Sequence, residues 1–271
     1  MDRIDQIMRQ ALPEPHVLVG IDLGQARDFT AITITERGYR LVGKPYNADT
    51  HDRRGRPTME ARQRVELEYR CRHLERFALG MPYPEQVKRI IRLIKRLGGS
   101  PIIVCDQTGV GRAVVDLLIS ELDEAIKDTD LHPQVIRVGI TGGAAVSRIP
   151  GGFSVPKVDL VGAPLVLMQN DQLYVAEDLE HQPTLVDELL KFKRKVNVAT
   201  SNATYEAWRD GDHDDLVLSL ALGTWAGQNL LRTKEYVSAP QALAPFTSSQ
   251  APTPDPAGYT AITGTPMPPL P

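Results

Sequence analysis

The chain has 271 residues, of which 42% are hydrophobic and 24% charged, enough apolar content to bury one substantial core. A net charge of −3 excludes a uniformly basic nucleic-acid binder, and two cysteines without CxxC or zinc-type His/Cys spacing exclude a disulfide scaffold and a zinc centre. The N-terminal MDRIDQIMRQ lacks an apolar signal core and no run reaches membrane-spanning length, so the expectation is a cytoplasmic protein without a membrane partner.

In chain order, residues 1–13 are expected to form an N-terminal extension. His16 to Leu23 is an apolar run carrying Asp22 near its end, Asp28 to Glu36 alternates like a half-buried strand, and Tyr39 to Tyr46 reads as a third strand after an Arg37-Gly38 turn. Residues 49–64, Arg-rich and poor in core residues, are expected as a mobile loop. Helical periodicity then predicts helices over Val65 to Leu79 and Pro84 to Leu97, the second ended by Gly98-Gly99. Pro101 to Asp106 is a continuous apolar strand suited to burial on both faces, and Gly109-Val110-Gly111 leads into a helix through Ala125. Gln134 to Ile140 is another buried strand, and the Gly-rich stretch from Gly142 to Gly152 is expected as loop. A helix from Val158 to Asn170, a strand from Leu173 to Ala176 and a helix from Thr184 to Phe192 follow. Lys193 to Ala199 with Ala203 to Trp208 reads as a hairpin, and a last helix runs from Asp214 to about Leu231. The final 34 residues hold 9 prolines and no Lys or Arg, so 236–271 is expected as a disordered tail.

Three antiparallel strands followed by alternating helices and strands make a mixed α/β sheet, in the order expected of an RNase H-like fold over residues 14–235. In that arrangement the first strand and the next buried strand are neighbours, which would set Asp22 beside Asp106.

Three acidic motifs carry the chemistry: GIDLG at Asp22, VCDQTGVG at Asp106 and GDHDDLVLSL at Asp214 and Asp215. Each acid has an ordinary structural explanation, a turn for Asp22 and a helix cap for the others. Together they form a carboxylate set suited to Mg²⁺ or Mn²⁺, hard cations that take oxygen ligands. A pair of such ions can drive in-line attack of water on a phosphodiester. No GxxxxGK[ST] occurs, and GVGRAV lacks the third glycine of a dinucleotide fingerprint, which leaves no nucleotide cofactor site. GIDLG also suggests the first phosphate loop of sugar kinases and actin-like ATPases, yet CDQTGVG imitates their second loop only loosely.

Charge is unevenly spread. Residues 51–100 hold 13 Lys/Arg against 6 Asp/Glu on an otherwise acidic chain, which fits a basic face for a phosphate backbone as well as it fits a solvated helix surface. KFKRK (Lys191 to Lys195) could track DNA or serve as an exposed strand edge, and His213 beside the acid pair could donate to a phosphate, assist a metal-bound water or simply sit at a helix start.

These motifs resemble the nuclease domain of tailed-phage terminase large subunits. GIDLGQARDFTAITI is similar to its first strand-turn-strand, VCDQTGVGRAVVDLL to its second catalytic strand and helix, VPKVDLVGAPLVLMQNDQLYV to its Lys-bearing helix and strand, and GDHDDLVLSLALG to its closing motif. The resemblance spans about Val17 to Gln228. It implies a metal-dependent endonuclease on double-stranded DNA, with Asp22 bridging two Mg²⁺ or Mn²⁺ ions, Asp106 and Asp215 each completing one, Asp214 close by and Asp28 auxiliary. The Arg-rich segment Arg53 to Arg76 and the Lys191 to Lys195 stretch are expected to border the acidic cleft, with Arg53, Arg54, Lys157, Lys193, Arg194 and Lys195 holding DNA. The implied partners are a packaging ATPase, a small terminase subunit and a portal. The motor is expected on a separate polypeptide or on a part of the protein outside this chain. Two rival readings stand beside this one: a Holliday-junction-resolvase-like nuclease, and a non-catalytic DNA-binding subunit of a packaging complex.

Overall fold

A computed structural model describes residues 3–24, 28–51, 54–109, 111–199, 214–240 and 259–261. The chain divides into two compact units, and the acidic motifs all fall in the larger one, built from His16–Glu36, Tyr69–Leu231 and Tyr259–Pro271.

The elements are α1 (Arg3–Gln10), β1 (His16–Asp22), β2 (Ala31–His51), β3 (Pro57–Arg76), α2 (Tyr83–Leu97), β4 (Ile102–Asp106), α3 (Gly111–Ile126), β5 (Gln134–Thr141), β6 (Ser147–Ile149), β7 (Gly152–Pro156), α4 (Lys157–Gln169), β8 (Leu173–Ala176), α5 (Gln182–Ala199), α6 (Asp215–Asn229), β9 (Tyr236–Pro240) and β10 (Tyr259–Ala261). In the larger unit the strands follow the order β10-β8-β3-β2-β1-β4-β5-β7-β6. The first three strands are antiparallel neighbours, whereas β4 pairs parallel with β1 and β5 parallel with β4. This is the RNase H-like order, a mixed α/β sheet flanked by helices.

Period-two alternation decides which face each strand residue serves. Val19 and Ile21 of β1, Ile32 and Ile34 of β2, and Ile103 and Cys105 of β4 form one apolar cluster with Val87, Ile90 and Ile94 of α2 and Val114, Val115, Leu118 and Leu122 of α3. The intervening residues Leu18, Gly20 and Asp22 therefore belong to the opposite face. There α6 lies so close that a β-carbon on Gly20 would sit 1.8 Å from the Ser219 carbonyl oxygen. Only glycine permits that approach. From Asp215 to Gly227 every residue of α6 is buried, as befits a helix apolar on all sides.

The smaller unit comprises Met1–Pro15, Arg37–Glu68 and Arg232–Gly258. Here β9 pairs antiparallel with β3, from Glu60 opposite Pro240 to Arg64 opposite Tyr236. Met8, Tyr39, Ala61, Val65 and Val237 form its core. Buried Arg37 donates to the Arg232 carbonyl and to Thr233 Oγ1 at 3.2 and 3.3 Å.

Several local expectations are corrected. The second and third predicted strands are one continuous strand, β2, with no turn at Arg37-Gly38, and the third antiparallel strand is β3 instead. β3 occupies the stretch expected as a mobile loop and then a helix, because Ala61, Gln63, Val65, Tyr69 and Cys71 bury one face at period two beneath a charged exterior. The Gly-rich stretch holds β6 and the start of β7. Lys193 to Ala199 continues α5 as helix, so it forms no hairpin strand, and Ala203 to Trp208 lies outside the described residues. Tyr236–Pro240, expected within the tail, is strand β9. Among the described residues no helix is long and apolar enough to cross a membrane.

Candidate active site

Asp22 ends β1 and Asp106 ends β4, and the parallel register sets Ile21 against Cys105, so the two acids finish neighbouring strands side by side. Because Ile21 and Cys105 point into the α2/α3 cluster, Asp22 and Asp106 turn to the face that α6 covers. Asp214 and Asp215 open α6 on that face. The structure therefore brings four of the predicted acids to one end of the sheet.

Electrostatics reports the same convergence. Burial raises the Asp22 carboxyl well above the usual carboxylate range, and the charges of Asp106, Asp215 and Asp214 push it further, against a smaller opposing pull from Lys157. Burial also raises Asp106, offset by hydrogen bonds to its Oδ1 from the Thr108 backbone N–H at 2.8 Å and the Thr108 hydroxyl at 2.5 Å. Thr108 Oγ1 in turn accepts from the Ile140 N–H at 2.9 Å, tying the Asp106 turn to β5.

The helix acids are held differently. Lys157 Nζ, in the first turn of α4, binds Asp214 Oδ2 at 3.1 Å. Arg76 Nη2, at the end of β3, binds Asp215 Oδ2 at 3.0 Å and also Glu188 Oε1 of α5. The Arg76 guanidinium lies 4.9 Å from the centre of the Phe29 ring. Glu188 Oε2 accepts the Val217 N–H at 3.1 Å, and burial raises its pKa to about 7 against the pull of Arg76.

The donor set fits a hard divalent cation: every candidate ligand is a carboxylate oxygen, and buried Asp22 faces three further carboxylates. Among the described residues no three acids gather within ligation distance of one point. Arg76 holds an oxygen of Asp215, and Lys157 one of Asp214. The charges act on one another across the cleft while two of the acids stay tethered.

Of the remaining predicted residues, Asp28 is exposed and its backbone packs against Gly24, two residues after Asp22. Arg54 falls in the turn between β2 and β3, in the smaller unit. Lys193, Arg194 and Lys195 lie in α5, where only the backbone is described, while Arg53 and His213 fall outside the described residues. Cys71 and Cys105 are free and buried, and burial pushes both thiols up to about 12.

Glu188 and Gln86 carry no motif in the sequence, and Arg76 stands there only as the end of the Arg-rich segment expected to border the acids. Gln86, fully buried on α2, donates from Nε2 to the Gly24 carbonyl at 3.1 Å and the Met81 carbonyl at 2.8 Å, while its Oε1 lies 2.7 Å from Thr30 Oγ1. Thr30 Oγ1 accepts the Gly24 N–H at 2.9 Å. The turn that follows Asp22 is thus pinned from two sides. A signal for Glu188 did exist: it occupies the core register of an amphipathic helix between buried Leu185 and Leu189.

No family model matches the chain, and no curated protein does. Solved terminase nuclease domains match it over about four fifths of its length. The Mn-soaked human cytomegalovirus terminase nuclease domain aligns with a TM-score of 0.45 and 9% identity, covering 80% of this chain and 86% of that one. The same domain with inhibitor bound gives 0.46 and 11% over 82% and 86%. The large terminase nuclease of thermophilic phage G20c gives 0.38 and 18% over 80% and 83%.

Proposed function

We infer that this chain is a Mg²⁺- or Mn²⁺-dependent endonuclease that hydrolyses phosphodiesters of double-stranded DNA, as the resemblance of its motifs to terminase nucleases implies. One observation carries the reading: Asp22 and Asp106, from separate strands, end side by side on the face where Asp214 and Asp215 begin α6. A buried carboxylate surrounded by carboxylates is costly, and a fold keeps such a cluster where a cation is to be held. Asp22, Asp106 and Asp215 would hold the ions, with Asp214 beside them. Bound divalent ions supply Lewis-acid activation of water and stabilise charge on the leaving oxygen.

The chain's own groups do the rest. Thr108 holds one Asp106 oxygen through two hydrogen bonds and so fixes the carboxylate at the end of β4. Lys157 can exchange Asp214 for an entering phosphate. Directly after Asp106, Gln107 lines a cavity of about 580 Å³ with Arg112 and Arg137, a place for a neighbouring backbone phosphate. Contacts of this kind carry no base information, so cleavage by the chain alone should show little sequence preference. A terminase nuclease would act with a packaging ATPase, a small subunit and a portal, inside the host cytoplasm.

The test is nicking and linearisation of supercoiled plasmid by the purified chain with Mn²⁺ or Mg²⁺. Cleavage that EDTA stops and Asp22→Asn removes is the expected result. Full cleavage by Asp22→Asn would overturn the assignment. A strong preference for four-way junctions over linear duplex would favour a resolvase.

A further inference from the structure

The helix that presents Asp214 and Asp215 begins in an unusual way. Asp214 holds the N-cap position of α6, where an aspartate ordinarily accepts a backbone N–H from the first turn. It makes no such bond. Its Oδ2 instead meets Lys157 at 3.1 Å. The first-turn N–H of Val217 is satisfied by another helix, through Glu188 Oε2 at 3.1 Å. The other oxygen of Glu188 receives Arg76, whose same nitrogen holds Asp215 at 3.0 Å. Glu188 and Asp215 have side chains only 4% and 5% exposed, so this linkage is shielded from solvent, and a lone member left behind would be an uncompensated buried charge.

We propose that Glu188 and Arg76 are positioning residues of the acidic site. Glu188 caps α6 from outside and so releases Asp214 from capping, while Arg76 fixes the orientation of the Asp215 carboxylate at the start of the helix. Neither touches the reacting atoms. The proposal rests on the reading of the acids as ligands. It goes beyond that reading by placing the orientation of two of them in β3 and α5, elements that carry no ligand.

The probe is Mn²⁺ alone, titrated calorimetrically into the full chain under conditions where circular dichroism shows each variant folded. Wild type should bind, and Glu188→Ala should weaken Mn²⁺ binding about 10–100-fold, the usual cost of losing a group that orients a ligand. Glu188→Gln keeps an oxygen for the Val217 N–H and should recover part of that loss. Arg76→Lys, whose shorter side chain stops short of the point where Nη2 meets both carboxylates, should weaken binding as well. A purely structural role would lower the melting temperature in EDTA and leave the Mn²⁺ affinity of the folded protein unchanged. That result in Glu188→Gln and Arg76→Lys, beside a wild type that binds, overturns the positioning proposal alone. A wild type that takes up no Mn²⁺ overturns the nuclease reading and this proposal together. Asp214→Ala gives a check that does not disturb the buried linkage. Because Asp214 is not the working cap and its ion pair is partly exposed, the melting temperature in EDTA should hold steady. A fall of the size seen when a helix loses its cap overturns the proposal.

Discussion

The acids on the strands and the acids on the helix reach the same cleft in different electrostatic states. Asp22 and Asp106 have no ion-pair partner among the described residues, and burial raises both carboxyls. Asp214 and Asp215 arrive already bound to Lys157 and Arg76. The strand pair is where an added cation gains most, because only the smaller pull of Lys157 opposes its charge. The helix pair is held in readiness by internal cations. A four-carboxylate site can thus fold before any ion arrives, provided half of its charge is compensated from within.

The largest test of this contrast is in cleavage. Asp22→Asn and Asp106→Asn should each reduce plasmid nicking to background, a loss on the order of 10³-fold or more, whereas Asp214→Asn should retain measurable turnover. Equal losses at all three positions would erase the distinction between the pairs. Next is stability. Arg76→Met leaves Glu188 and Asp215 as buried charges without their cation, at a cost of about 3–5 kcal/mol, readable by urea unfolding in EDTA. An unchanged unfolding midpoint would mean that the helix acids need no internal counter-charge.

A smaller effect of opposite sign is expected at Asp22. Its carboxyl is raised on folding, so its contribution to stability is present below the unfolded pKa and is lost as pH rises through the folded one. Asp22→Asn should therefore raise the melting temperature in EDTA at neutral pH, by an amount that shrinks on acidification. A melting temperature that falls instead would mean that the charge of Asp22 is compensated in the metal-free fold, and the contrast between strand and helix acids would disappear.

The half of the site that the sequence makes legible is the half on strands. VLVGID and PIIVCD are unbroken apolar runs ending in an acid, and burial on both faces leaves that acid only the strand end. The closing motif was equally plain, an acid pair ahead of an apolar helix. What compensates the acids was hidden. Arg76 is one of 13 Lys/Arg between residues 51 and 100, and nothing local distinguishes the one that turns inward. β3 was obscured because Glu, Arg and Leu favour helix locally and Val65 and Tyr69 also match helical spacing. Pairing with β8 and β9 overrides that preference. The extension of α5 through Ala199 was missed for the converse reason, since β-branched Val196 and Val198 suggest a strand.

The contact between Gly20 and Ser219 gives the site something a machinist would call a datum. Gly20 stands two residues before Asp22, and Ser219 four after Asp215, so both acids are measured from one backbone-to-backbone seat with no clearance left for a methyl group. Such a seat has no play. Neither acid can drift along or away from the sheet unless β1 and α6 separate as whole pieces, and the core on both sides opposes that. Adjustment around a bound ion must then come from side-chain rotation and from the release of Arg76 or Lys157, while the frame that carries the carboxylates keeps its gauge.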